Sequence, residues 1–425
     1  MLIQKEDKMK IAIIGSGISA LAAGYFLHKK YDLTIFEKND YIGGHSNTAN
    51  INFDRKKIAV DTGFIVFNFR TYPNLKALFQ KLNVAIEKSN MSFGIRDYDR
   101  NFEYSGNDLS GLFAQKSNIF RPKFLKMIFD IAKFNKEAIK LVKNDKISNK
   151  ITLEEFVTNL KLGEYFKNYY LFPMAGAIWS CPLELIKNYP AKTFLQFFYN
   201  HGLLTIFNQP QWYTVKGGSQ EYVKKLSAGF KDKIKLNCEI TKSEQKGKKI
   251  ILTDKKGQEY EFDKVIFASH ADQTYKIIKD KTGLEKEILS KIKYSKNIAI
   301  LHKDKNQMPK NKKAWASWVY LSSKNKNQVS LTYWMNNLQN LNINKPLFVT
   351  LNPFKKISKK DIIASYNYEH PIFNLDAVEA AKKLDEIQDQ RNIYFCGAWA
   401  KYGFHEDGLN SAINIMKYFD VDIGW

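Results

Sequence analysis

The stretch "KIAIIGSGISALAAGYFLHKKYDLTIFEKND" near the N-terminus constrains the fold more than any other part of the chain. Its apolar run Ile11–Ile14 reads as a buried parallel strand, and Ala20–Leu27 has helical spacing. Residues 33–36 form a second strand ending at Glu37, which completes a βαβ unit within about 30 residues. In "GSGISA", Gly15 permits the tight turn after the strand, and Gly17 lets a pyrophosphate approach the helix N-terminus. Ile18 and Ser19 open that helix, and Ala20 takes the close helix–strand contact in place of a third glycine. Glu37, 20 residues after Gly17 and followed by Lys38, is placed to accept hydrogen bonds from an adenosine ribose. The preceding strand, the helix, the second strand and its terminal acid agree on a dinucleotide-binding unit. The acid would repel a 2′-phosphate, which argues against NADP and leaves NAD or FAD.

The next residues favour FAD. "DYIGGHSNTA" places a second glycine pair, Gly43 and Gly44, and then His45, just past the acid. Such a loop brings backbone donors to the other side of the same pyrophosphate, which suits an extended flavin dinucleotide. "VDTGFIVFN" adds an apolar turn, with Gly63 and Phe64, able to approach a flavin ring.

From about residue 75 to 205 the pattern is helical, and "TLEEF" carries a capping box of Thr152 and Glu155. From about 212 the α/β signals return: a turn and helix in "GGSQEYVKKLSAGF", then short strands near 235–238, 249–253 and 265–268. Strand-like runs follow at 296–302 and 328–350, and the chain closes with the strand "NIYFCGAW" and the helix "DGLNSAINIMKYF". This order predicts an interleaved α/β fold. A Rossmann-like FAD-binding domain would be assembled from residues 1–75, 212–290 and 386–425, with a mixed α+β substrate domain inserted between them. The insert would have a helical part at 76–211 and a β-rich part at 291–385.

The sequence resembles the flavin-containing amine oxidase and phytoene desaturase superfamily over about Lys10 to Phe419. Within it, "VDTGFIVFN", "AIWSCP", "NHGLL", "QWYTVKGGSQEYV", "TLNP", "YEHP" and "GFHEDGL" are similar to a bacterial subgroup of predicted FAD-binding oxidoreductases. That subgroup is associated with modification of unsaturated or methyl-branched acyl chains, including the route to furan fatty acids. The resemblance implies that Gly15, Gly17, Glu37, Gly43 and Gly44 hold ADP, and that Ile240 sits where adenine meets backbone. It implies that the strand ending in "CGAW", with Trp399, and the turn "EDGL" close over the flavin. Asp407 would shape that turn, while Gly408 and Leu409 offer N–H groups to the ring's pyrimidine edge. Two positions depart from the family pattern: Ala398 and Trp399 follow Gly397 where an acid is usual, and His45 follows the glycine pair where Arg is usual.

Flavin oxidation asks the protein mainly to position substrate and tune the ring. His405 is the acid–base candidate beside the flavin, against a reading as a turn histidine bonded to backbone. Trp179 and His201 are candidate active-site residues, with Tyr213, Trp334 and His370 as further candidates for the cavity wall, each weighed against plain core packing. No metal site is expected: His405 and Glu406 do not continue as HExxH, because Leu409 stands at the fourth position.

Charge and composition bound the partners. The chain has 66 basic against 43 acidic side chains, a formal charge of +23. This favours anionic partners and makes an unfavourable long-range field for polyamines. No nucleic-acid motif accompanies it. Three scattered cysteines predict free thiols in a reducing compartment. No apolar run of about 18 residues is present, and the first residues lack a signal peptide's apolar core, so the expectation is a cytoplasmic protein. The lysine-rich helix around 119–142 would rest peripherally on the inner face of an anionic membrane, or would be an ordinary helix with a buried stripe. The expected reaction is dehydrogenation of an acyl chain of membrane phospholipid, with hydride passing to flavin N5. Oxygen or a quinone would reoxidise the flavin, since no second nucleotide motif appears. The alternative is a soluble amine oxidase releasing peroxide. Nothing in the sequence indicates an oligomeric state.

Overall fold

A five-stranded parallel sheet and a seven-stranded mixed sheet organise the described residues. The computed structural model describes residues 8–144, 147–148, 151–205, 209–323 and 329–425. The opening seven residues and Gln328, both touched by the sequence reading, lie outside that set.

The parallel sheet runs Ile234–Lys235, Asp32–Phe36, Lys10–Ile14, Lys264–Phe267 and Ile393–Phe395 in spatial order. Its central strand is apolar on both faces because both faces are covered. Ile11 and Ile13 pack with the helices Ile18–Leu27, Gln220–Ser227 and His405–Ile415. Ala12 and Ile14 face the opposite core, built with the helices Ala271–Ile277 and Gly283–Lys291. A three-stranded antiparallel sheet of residues 240–262 joins that second core.

The seven-stranded sheet takes Lys293–His302, Trp318–Ser322, Ser330–Trp334, Phe348–Leu351 and Ile362–Ile372 from the later part of the chain. Two more strands, Phe93–Asp97 and Phe102–Ser105, come from a region expected to be helical. Their alternation around a tight turn, with Asn101 in the left-handed region at φ 45°, makes a hairpin. Phe93–Asp97 then pairs in parallel with Trp318–Ser322, which no local pattern announces. Helices resume at residue 109, and Thr152 and Glu155 form their reciprocal cap, with Glu155 N–H donating to Thr152 Oγ1 at 3.2 Å.

Asp61 ties these parts together. Its carboxylate is 1% exposed and accepts from Ser219 N–H at 2.9 Å, Thr48 Oγ1 at 2.6 Å and Gln339 Nε2 at 2.9 Å. Gln339 returns the contact by accepting the Asp61 N–H at 2.8 Å. Burial raises the carboxyl pKa to about 6 despite these donors. Removing the acceptor strands several buried donors, so Asp61→Ala should cost about 3 kcal/mol. Asp61→Asn, which keeps one acceptor oxygen, should cost less. Urea denaturation of both variants checks this, and a parent-like midpoint for the alanine variant would remove Asp61 from the role.

Candidate active site

The carboxyl ends of the parallel strands open into one cavity of about 1320 Å³. That exceeds the roughly 300–1,000 Å³ of a typical single-ligand site, leaving room for two ligands together. Ile14, Phe36, Ala268 and Gly397 mark the strand ends at its wall, the position where ligands sit in open parallel sheets.

At one end stand the two glycine loops. Gly44 has φ +59°, and a Cβ added there would lie 3.1 Å from the Gly17 Cα. The two loops therefore approach backbone to backbone, a distance only glycine tolerates. Gly43 N–H donates to Ser16 O at 2.9 Å and locks the second loop to the first. Glu37 is 5% exposed; its Oε2 accepts from Ser16 Oγ at 2.6 Å, and its Oε1 accepts from Asn39 N–H at 2.8 Å. Asn39 Nδ2 also donates to Oε1 at 2.8 Å, so the acid is held in place with spare acceptor capacity on Oε2. Gly15, Gly17, Ile18, Ser19, Lys38, Gly63, Phe64, Ile240 and Trp399 line the same cavity.

The C-terminal turn is built differently from the sequence expectation. The last helix begins at His405, and Gly408 N–H already donates to Phe404 O at 3.0 Å. The N–H groups ahead of that first intrahelical bond belong to His405, Glu406 and Asp407, and of these residues only His405 lines the cavity. Gly408 and Leu409 do not line the cavity. A Cβ on Gly408 would meet Ile18 Cγ2 at 2.8 Å, so this glycine lets the last helix lie on the first, and Leu409 is fully buried in their shared core. Asp407 also stands behind the wall. Its Oδ2 accepts from Phe404 N–H at 3.0 Å and caps the helix, and burial pushes its pKa up to about 7. Glu406 caps a second helix, accepting from Asn74 and Leu75 N–H, each at 2.9 Å.

Five of the seven histidines line the cavity: His45, His201, His270, His370 and His405. Burial lowers the pKa of His201 and His370 to about 4 and of His405 to about 3, and takes His45 well below its ordinary value. His405 lies stacked on Phe64 with ring centroids 3.7 Å apart. Its Nε2 is shared between Ser46 Oγ at 2.8 Å and Tyr222 Oη at 2.9 Å. The acid–base role needs a free ring nitrogen beside the ligand; here the Nε2 of His405 is committed to fastening the second glycine loop. His201 donates Nδ1–H to Phe197 O at 2.9 Å, which leaves Nε2 as the free acceptor. His370 Nδ1 accepts from Asn297 Nδ2 at 3.0 Å, so its Nε2 carries the proton. Among the described residues no group of three or more His, Cys, Asp or Glu is placed to hold a metal ion.

Three expected lining residues are elsewhere. Trp179 packs on Phe197 at 4.7 Å and donates its indole N–H to Tyr402 O at 3.2 Å. Tyr213 stacks on Phe69, and Trp334 packs edge-on against Trp315. Asp61, Ser46 and Tyr222 were missed as determinants of the site. All three lay inside quoted motifs, but their buried contacts join segments far apart in the chain.

Residues 16–337 match the model of the family described as flavin containing amine oxidoreductase, which covers most of the chain. The chain belongs to that family. Its overall fold is shared by a fatty acid isomerase from P. acnes that produces CLA, at 15% identity and TM-score 0.66, with 98% of this chain and 100% of that one covered. Putrescine oxidase, solved with putrescine bound, aligns at 12% identity and TM-score 0.66 over 97% of this chain and 98% of that one. Cyclohexylamine oxidase from Brevibacterium oxydans aligns at 11% identity and TM-score 0.67 over 97% and 100%. A comparison with curated protein sequences finds no match. Members of the family bind FAD, and the residues here fit it. The opposed glycines leave backbone room for a pyrophosphate, and the anchored Glu37 suits a ribose. The buried His45 Nε2 lacks any protein partner and suits a polar atom of the cofactor.

Two measurements check this geometry. Gly44→Val should abolish flavin retention, because the side chain enters the gap to Gly17; a yellow, FAD-loaded variant would contradict it. The second is pH dependence. The four lowered histidines bind fewer protons in the folded protein than in the unfolded chain, so stability should fall as pH drops from 6.5 toward 4. Asp61 and Asp407, with raised values, oppose this by favouring the folded state as pH drops from about 7. His405→Gln should make the acid loss shallower, read from urea midpoints at pH 7.5 and 5.

Proposed function

We propose that this flavoprotein dehydrogenates or desaturates an unsaturated or methyl-branched acyl chain of membrane phospholipid, with oxygen or a quinone as the final electron acceptor. The wall of the cavity away from the glycine loops is the observation that carries this reading. Met91, Ile178, Phe197, Leu203, Trp212 and Trp318 line it, and burial disfavours the charged form of His201 and His370. An extended hydrocarbon loses little by entering such a wall, whereas an ammonium group would shed its hydration with poor return. The fold likeness to the P. acnes fatty acid isomerase is compatible with this reading.

The amine reading draws on fold likeness to putrescine oxidase and cyclohexylamine oxidase. The cavity offers it little. Its lining acids are Glu37, anchored by Ser16 and Asn39, and Glu239 and Glu369, set against Lys38, Lys276, Lys279 and Lys296. Glu369 lies 3.5 Å from His270 Nδ1, and the nearby Lys38 and Lys296 lower its pKa further. Phe64 with His405, and Phe197 with Phe404, are parallel ring pairs in direct contact, at 3.7 and 4.9 Å, with no gap for a substrate between them.

Bound in the cavity, FAD supplies the two-electron acceptor. The chain's part is to exclude water with the apolar wall and to receive a proton. His201 is suited to the second task, because its Nδ1–H is spent on Phe197 O and its Nε2 lone pair is free and unprotonated at neutral pH. His370, protonated on Nε2, is suited to hold a carbonyl or ester oxygen.

Anaerobic mixing of the FAD-loaded protein with phospholipids carrying unsaturated or methyl-branched chains should bleach the flavin and yield an acyl product two hydrogens lighter by mass spectrometry. Bleaching by putrescine or aromatic amines, with lipids inert, would overturn the reading. His201→Gln should lower turnover about 100-fold with flavin content unchanged.

A further inference from the structure

The three most exposed large apolar side chains among the described residues lie in one short stretch. Phe120 is 85% exposed, Leu109 75% and Phe129 75%, with Ile119 beside them at 47%. The remaining large apolar side chains are less exposed and scattered along the chain. Phe120 ends a turn of 3₁₀ helix that leads into the long helix Pro122–Lys143. That helix buries Phe124, Met127 and Phe134 completely, which is its packing face. Its opposite face carries Phe129 amid the exposed Lys123, Lys126, Lys133, Lys136 and Lys140. Phe129 stands seven residues after Pro122, about 10 Å along the axis.

A single exposed apolar side chain is ordinary, but several large ones concentrated in one stretch mark an interaction surface. The surrounding charge says what. Residues 116–143 hold eight cations and two acids. One of those acids, Asp130, is buried and already accepts from Lys126 Nζ and from Gly163 N–H. The stretch therefore carries the most exposed apolar side chains of the described residues together with a surplus of cations, the complement of an anionic lipid headgroup layer over hydrocarbon.

We propose that Leu109, Ile119, Phe120 and Phe129 insert into the interface of an anionic phospholipid bilayer while the lysines of helix 122–143 engage its headgroups. This surface docks the protein peripherally. Among the described residues no helix is long and apolar enough to cross a membrane. The docking stands whichever substrate the cavity takes.

The test is sedimentation of the FAD-loaded protein with vesicles of phosphatidylcholine alone and of phosphatidylcholine with phosphatidylglycerol. Binding is expected to the mixed vesicles at low salt, to be weak on phosphatidylcholine alone, and to fall as salt screens the lysines. Phe120→Ser with Phe129→Ser should reduce bound protein about tenfold, with flavin absorbance and melting unchanged because neither side chain is buried. Equal sedimentation of parent and double variant would overturn the proposal. So would failure of the parent to bind anionic vesicles, or a dimer in solution that the double variant disperses, which would give the patch to a second copy of the chain.

Discussion

Three elements distant in sequence meet at the buried carboxylate of Asp61. The strand at Thr48 leads out of the second glycine loop, Ser219 starts the helix that carries Tyr222, and Gln339 belongs to the turn after the seven-stranded sheet's Ser330–Trp334. A buried carboxylate is costly to keep, and its pKa near 6 records that cost. It is tolerated because hydrogen bonds from Thr48, Ser219 and Gln339 converge on it. From this point Tyr222 reaches Ser46 and His405, and His405 fastens the last helix to the second glycine loop. The cavity's shape depends on that chain of contacts.

The histidine-rich wall follows from the same construction. A buried imidazole keeps a polar surface without a charge, since desolvation disfavours the protonated ring. Such a wall presents fixed donors and acceptors, as His201 and His370 show with opposite tautomers. It gives little to a free cation. The outer face of helix 122–143 is different in character, with Phe129 exposed among lysines.

Much of the nucleotide end was legible in the sequence because it depends on local rules. A glycine turn after an apolar strand, a helix with small residues at its start and an acid 20 residues on describe one βαβ unit whose parts are adjacent in the chain. The capping pair Thr152 and Glu155 was readable for the same reason. The hairpin at 93–105 was not, because its first strand is stabilised by pairing with residues more than 200 positions away. The role of Gly408 was likewise hidden. Its motif looked like a donor loop, but its missing side chain makes room for Ile18 on another helix.

By itself the sequence determined a Rossmann-like unit suited to FAD, and the resemblance in its motifs pointed to an interleaved flavoprotein fold. Tertiary structure alone decided which side chains face the cavity: it placed His201 and His370 at the wall, sent Trp179 and Tyr213 into packing, and turned His405 from a proton carrier into a fastener. The physical reason is the range of the forces concerned. Turn geometry, helix caps and glycine conformations are set by neighbours in the chain, whereas desolvation and shared hydrogen bonds depend on groups that only folding brings together.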